Sequence, residues 1–224
     1  MFGSFQVGLI QSERPTPISW VGVTYPAQKK SKEADQSMGL CVKPLHNHYN
    51  RAVWLVEFIQ LYNLLGVTHF VFYNHSIGPD VQRVLEYFQT HNSASLSLSI
   101  LSWNLPVTSQ KKIRTEAQFT ALNDCNFRLI NRVKYAVMVV SIEHEAKSMI
   151  SRIFQDLDEF LIPYQHENLT SLLRELDRPH IASFNFKNVF FYLYWANSTV
   201  TAQSPTPGYL LTLYKTTRLV KIHR

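Results

Sequence analysis

The chain has 224 residues, 46% apolar and 13% aromatic, and carries a net charge of +6 from 22 basic and 16 acidic side chains. That is enough apolar material for one sizeable α/β core and too much for a disordered chain. The basic residues are dispersed, adjacent only at Lys29-Lys30 and Lys111-Lys112, so no nucleic-acid partner is expected. The most apolar stretch, 53–73, is interrupted by Glu57, Gln60, Asn63 and His69 and falls short of the roughly 18 apolar residues of a membrane span. Residues 1–12 lack the basic start and long apolar centre of a signal peptide, so neither an anchor nor an export signal is expected in this chain.

In chain order, residues 1–36 are rich in Pro, Ser and Lys and end in a charged run from Lys29 to Gln36, which reads as a largely irregular N-terminal extension. The ordered domain is expected over 37–224. Gly39 to Leu45 reads as a strand, and Ala52, Leu55, Val56, Ile59 and Leu64 as one face of a helix closed by Gly66. Val67 to Tyr73 is a second strand, Asp80 to Phe88 a helix and Leu96 to Trp103 a third strand. Thr115 to Asn131 follows as a helix with Ala117, Ala121 and Cys125 on one stripe, and Tyr135 to Val140 as a fourth strand. Alternating strands and helices predict an α/β fold, a mostly parallel central sheet with helices on both faces. Ligands of such sheets bind beyond the carboxyl ends of the strands, which singles out 44–48, 74–80 and 103–112.

Cys41 and Cys125 have neither zinc nor redox-pair spacing. They read as two buried cytosolic thiols or, with the N-x-S/T triplets at Asn74, Asn168 and Asn197, as a pair in a secretory protein. Trp54 to Phe58 reads as core helix, and Trp103, beyond the third strand, as either a core residue or a stacking platform for a sugar or base.

The segment Asp156-Leu157-Asp158-Glu159-Phe160 carries the chemistry. In an extended segment Asp156 and Asp158 point to one side, close enough to share a hard divalent cation, and Glu159 faces the other way. Acidic triplets are common on solvated turns, but here Phe160-Leu161-Ile162-Pro163 follows at once. Carboxylates in an apolar run need a partner, and a metal is one. A cation held there neutralises a nucleotide diphosphate leaving group.

Four segments together resemble glycosyltransferase family 92: Leu40 to Leu45; Trp54 to Phe58 continuing through Leu64 to Asn74; Asn123-Asp124-Cys125; and Asp156 to Pro163. The resemblance spans roughly 37–215. It implies a GT-A fold, truncated here at the C-terminus, and inverting transfer of a hexose, galactose by preference, from a nucleotide diphosphate sugar to a glycan acceptor. It further implies Mn2+ or another divalent cation on Asp156 and Asp158, donor contacts from Asn74 and Asp124, and a disulfide between Cys41 and Cys125. Family members are membrane-associated in the Golgi with a lumenal domain. No motif identifies the acceptor base; Glu159 is the candidate, against a bland reading as a supporting carboxylate or helix cap.

The chain departs from that pattern in two places. In the family the strand at Lys134 to Val139 runs straight into the metal motif, whereas here 16 polar and charged residues, 140–155, intervene. Val140-Ser141 and Phe154-Gln155 can be read from splice-donor and splice-acceptor consensus codons, so a retained in-frame intron is the expectation, a lineage-specific loop its alternative. The chain also stops at Arg224, soon after Leu210 to Lys215, short of a later family segment that bears a histidine. Three functions therefore compete: an active glycosyltransferase, an inactive fragment or pseudoenzyme that keeps the sugar-nucleotide fold, and a non-catalytic carbohydrate-binding module.

Overall fold

The computed structural model describes residues 3–11, 14–25, 37–91, 96–107, 109–113, 115–130, 132–138, 157–181, 184 and 186, the first two stretches by their backbone alone. Asp156, the 140–155 insertion, Asn197 and the C-terminal 187–224 lie outside these residues.

Residues 1–36 are not simply irregular. β1 (Gly3–Gln11) and β2 (Arg14–Tyr25) pair antiparallel from Gly3↔Tyr25 to Leu9↔Ser19, with a register shift before Gln11↔Arg14. The Pro15 and Pro17 that argued for a loop are tolerated because each strand of a two-stranded ribbon has a free edge, where no ladder donor is required. Val7, Leu9, Val21 and Val23 supply the alternation that a strand needs.

The domain proper is a four-stranded parallel sheet in the order β5-β4-β3-β6. β3 is Met38–Cys41, β4 Val67–Asn74, β5 Ser97–Ser102 and β6 Tyr135–Met138. All four residues of β3 are buried, as expected of a central parallel strand covered on both faces. Leu40, Phe70, Phe72, Leu98 and Val137 face one side; Cys41, Val71 and Tyr73 face the other.

On the first side lie α1 (Ala52–Leu64) and α2 (Pro79–Thr90). The buried stripe of α1 is Leu55, Phe58, Ile59 and Tyr62, the i, i+3, i+4, i+7 pattern of an amphipathic helix. Val56 and Leu64, expected on that stripe, are exposed, because the sheet takes the Phe58–Tyr62 face instead. Gly66 follows the helix at φ 102°, a left-handed turn that glycine adopts without strain. α2 buries Val81, Leu85 and Phe88, with Pro79 in its first turn.

The second side is covered by α4 (Gln118–Leu129), whose Ala121, Leu122, Cys125 and Leu129 are buried. A short α3 (Gln110–Ile113) and a single 3-10 turn at Thr115–Ala117 precede it, so the helix expected from Thr115 starts three residues later. The interruption is backbone strain at Glu116 and Ala117, both in the left-handed region. Helices thus cover both faces of the sheet, as the alternation of strands and helices implied.

The chain leaves β3 towards α1 on one face and enters β6 from α4 on the other. The strand order therefore reverses between β3 and β6, and in open parallel sheets the crevice at that reversal, beyond the carboxyl ends, is where ligands bind.

Two contacts clamp β3 to α4. Cys41 and Cys125 form a disulfide with Cα atoms 6.1 Å apart, closing a loop of sequence separation 84. In chain-entropy terms a loop of that length stabilises by about 4.6 kcal/mol. Gly39 lies against Leu129 so closely that an added Cβ would stand 2.7 Å from its Cδ1. Gly39→Ala is therefore expected to destabilise by about 1–3 kcal/mol. Leu129→Ala in the same chain should recover part of that loss, as urea unfolding will measure; additive losses would contradict the contact.

Candidate active site at the carboxyl crest

Backbone hydrogen bonds sew the loops after β3 and β4 together. Leu45 N donates to the Tyr73 carbonyl (2.8 Å), and the Leu45 carbonyl accepts from His75 N (3.0 Å) and Ser76 N (2.9 Å). Tyr49 N donates to Ser76 O at 3.2 Å and Gly78 N to Tyr49 O at 2.8 Å. Asn50 then reaches across to cap α2: its Oδ1 accepts from Asp80 N (2.9 Å) and Val81 N (3.2 Å), while its Nδ2 donates to Asp80 Oδ2 (2.8 Å). A helix N-terminus lacking a side-chain cap from its own Gly78 is thus satisfied from the neighbouring loop.

Side chains extend this crest. His48 Nδ1 lies 3.0 Å from Ser76 Oγ, which also accepts from His48 N at 3.1 Å. His75 Nδ1 donates to the Trp103 carbonyl at 2.9 Å, since a carbonyl only accepts, and its Nε2 stands 3.5 Å from Glu116 Oε2. The Trp103 indole N–H donates to Glu116 O at 2.8 Å, and its ring packs edge-on to Tyr73 with centroids 4.9 Å apart. Trp103 is therefore a half-buried clasp between the β5 exit and the start of α4.

Four of the five non-glycine residues with positive φ among the described residues belong to this crest: Asn47, His48, Glu116 and Ala117. Each costs on the order of 1 kcal/mol, and such strain is retained where the surrounding structure over-determines it, most often at ligand sites. Nothing in the sequence marked Glu116 or Ala117 as special. His75 fell within the 74–80 window that the sheet rule selected, but its partners were invisible until the fold joined them.

Asn74 ends β4 inside the crest; its carbonyl accepts from Trp103 N at 2.8 Å. Asp124 lies lower, on α4, with Oδ2 accepting from the Tyr73 hydroxyl (2.8 Å) and from Arg128 Nε (2.6 Å). Burial pushes the Tyr73 hydroxyl far above the ordinary phenol range, and its hydrogen bond to the Asp124 carboxylate adds to the shift. The same carboxylate raises Arg128. The two sequence-derived donor residues thus stand at different levels: one on the crest, one in a supporting network beside the disulfide.

Of the metal motif, the described part begins at Leu157. Leu157 is buried in the α1 side of the core, Asp158 is exposed at a turn and Glu159 is half-buried. The apolar run does not desolvate Asp158, because the side chain buried at this turn is Leu157. Beyond it the chain runs down along α1. The Tyr62 hydroxyl donates to Glu159 O (3.4 Å) and accepts from Leu161 N (2.8 Å), and Phe160 lies near Phe58 and Tyr62 with centroids 6.2 and 6.3 Å away. Leu169 N then donates to Leu65 O (2.9 Å) at the amino end of β4, opening α5 (Leu169–Leu176), capped by Asn168 Oδ1 on Ser171 N. Among the described residues no three His, Cys, Asp or Glu side chains are grouped to hold a metal, and Asp156 is not one of those residues. No described helix is long and apolar enough to cross a membrane.

A parallel sheet with helices on both faces and a sewn, strained crest at its carboxyl edge is an α/β fold consistent with a GT-A-like glycosyltransferase domain. The sequence agrees: residues 36–140, a little under half of the chain, match the family model of glycosyltransferase family 92. No curated protein and no solved structure matches the chain.

Burial of the Tyr73 hydroxyl, with its bond to Asp124, makes stability depend on alkaline pH. The folded-state pKa is raised, so the unfolded state loses its proton first, near pH 10, and stability falls as pH rises beyond that. The slope attributable to this group is about 1.4 kcal/mol per pH unit. Tyr73→Phe should cost about 1 kcal/mol near neutrality and remove that slope in urea unfolding between pH 8 and 11; an unchanged slope would contradict the assignment.

Proposed function

We propose that this chain is a family 92 glycosyltransferase of GT-A type that transfers a hexose, galactose by preference, from a nucleotide diphosphate sugar to a glycan, with inversion and dependence on Mn2+ or a similar cation. The observation that carries the reading is the coincidence of the family match with the sheet and crest: residues 36–140 include β3 to β6 and every crest loop. The catalytic domain starts near residue 37, and 1–36 is an extension to it. The Cys41–Cys125 disulfide suits an oxidising secretory lumen such as the Golgi.

In this reading the crest holds the donor nucleotide. Asn74 offers its side chain at the end of β4, and the strained loops at Asn47–His48 and Glu116–Ala117 present preformed walls, so little ordering entropy is lost on binding. Asp124 acts from below, fixing Tyr73 and through it the clasp of Trp103. Asp158 is an exposed hard-oxygen donor suited to a divalent cation, with Asp156 as its second carboxylate. A cation bound there supplies positive charge against the departing diphosphate. Glu159, half-buried, is the candidate that takes the acceptor hydroxyl's proton as the oxygen attacks the anomeric carbon from the opposite face.

The insertion at 140–155 favours a second reading, a chain that binds the donor but does not transfer it. It separates β6 from Asp156, and a shift of about 1 Å in a reacting group costs on the order of 100-fold in rate. A retained intron would account for its polar character.

Uridine diphosphate galactose binding and transfer with Mn2+, measured on the full chain and on a chain lacking 140–155, separates these readings. Donor binding by both and faster transfer by the shortened chain is the expected result. Binding without transfer by either supports the inactive reading. Asp158→Asn should weaken manganese-dependent donor binding by at least about tenfold, the scale of one lost charged contact; unaltered binding would overturn the metal assignment.

A further inference from the structure

A second polar feature lies away from the crest, on the α4 side of the sheet. His69 is the third residue of β4, five residues before Asn74, which puts it about 17 Å along the strand from the crest. It pairs in register with Ser97, and Val71 with Ser99, so these side chains share one face. β5 is the edge strand, and the C-terminal end of α4 overhangs it. Together His69, Ser97, Ser99, Arg128 and Arg132 line a notch of about 40 Å³.

The charges in the notch are uneven. Arg128 is bound by Asp124 at 2.6 Å. Arg132 has no carboxylate within ion-pair distance among the described residues, while its backbone is anchored at both ends: its N–H donates to Leu129 O (2.8 Å) and its carbonyl accepts from Ser37 Oγ (3.1 Å). A guanidinium held from a fixed backbone, opposite two hydroxyls and an imidazole, presents converging donors and an unbalanced positive charge. The Thr68 hydroxyl donates to Met38 O (3.3 Å) and so accepts from His69 Nδ1 (2.8 Å), which leaves Nε2 as the ring's remaining site for a proton. Burial first, and then the Arg132 charge, hold His69 below the ordinary histidine range. An anion seated here would oppose the second of these causes.

We propose that this notch is an oxyanion site that takes one sulfate or phosphate group between Arg132, His69 and the Ser97 and Ser99 hydroxyls. Guanidinium and hydroxyl donors match the several acceptor oxygens of such a group, and the notch has room for one. The site is separate from the crest, so it does not depend on the glycosyltransferase reading. The same chemistry would recognise a free anion or a sulfate ester on a sugar. A cation near the end of α4 also complements the helix dipole, a role that needs no ligand.

The test is the His69 ring signal of the full chain, assigned with His69→Gln and followed by NMR as inorganic sulfate is added, with chloride at matched ionic strength as control. Saturable perturbation by sulfate, with His69 titrating at higher pH in its presence, is the expected result. Arg132→Gln should weaken it by at least about tenfold while leaving the thermal midpoint nearly unchanged. Equal effects of sulfate and chloride, or full sulfate affinity in Arg132→Gln, would overturn the proposal. Galactose 6-sulfate against inorganic sulfate identifies the source: tighter binding of the sugar marks a glycan substituent, equal binding a free anion, and both support an oxyanion site.

Discussion

Burial of β3 on both faces is the constraint on which the rest of the structure depends. A strand shut off from water must find partners for every backbone N–H and carbonyl, and β3 finds them in parallel register with β4 on one side and β6 on the other. That requirement places two elements far apart in sequence, Val67–Asn74 and Tyr135–Met138, beside a four-residue core strand. The same burial brings α4 close enough for Gly39 to touch Leu129 and Cys41 to bond Cys125. Where β3 ends, its chain cannot stop hydrogen bonding either, and Leu45 continues the pairing as the stitch that holds the crest.

The crest follows from this arrangement. Because β3 and β4 end side by side, their loops exchange backbone bonds through Leu45, Ser76 and Tyr49, and Asn50 becomes the cap of a helix that begins thirty residues later. The left-handed residues at Asn47–His48 and Glu116–Ala117 are held by partners rather than by their own preferences. A ligand meeting such a surface encounters groups already in position. The disulfide and the Tyr73–Asp124–Arg128 network lie beneath and fix α4, the helix that begins just after the clasp.

Much of this was legible in the sequence because it is written in short-range pattern. Strand and helix order, the parallel sheet with helices on both faces and the glycine after α1 all follow from periodicity and local backbone preference. The N-terminal ribbon was not, since Pro15 and Pro17 carry the signal of a loop and only pairing reveals that an edge tolerates them. Of the α1 face that periodicity selects, Leu55 and Ile59 are buried but Val56 and Leu64 are exposed, because apolar identity does not say which neighbours a sheet will offer. At the site, spacing pointed to Asp158, yet its exposure beside a buried Leu157 depends on the turn at these two residues. The clasp of His75, Trp103 and Glu116 joins residues from three loops and has no signature at any one of them.

The central claim is that the donor nucleotide binds at the carboxyl crest, near the reversal between β3 and β6. Amide hydrogen exchange of the full chain, with and without uridine diphosphate and Mn2+, tests it most directly. The account predicts slowed exchange confined to residues 44–50, 74–78, 103–107 and the segment beginning at Leu157, with β1–β2 and the amino ends of the strands unchanged. Slowed exchange concentrated at the amino end of the sheet, or none at the crest under saturating nucleotide, would contradict it.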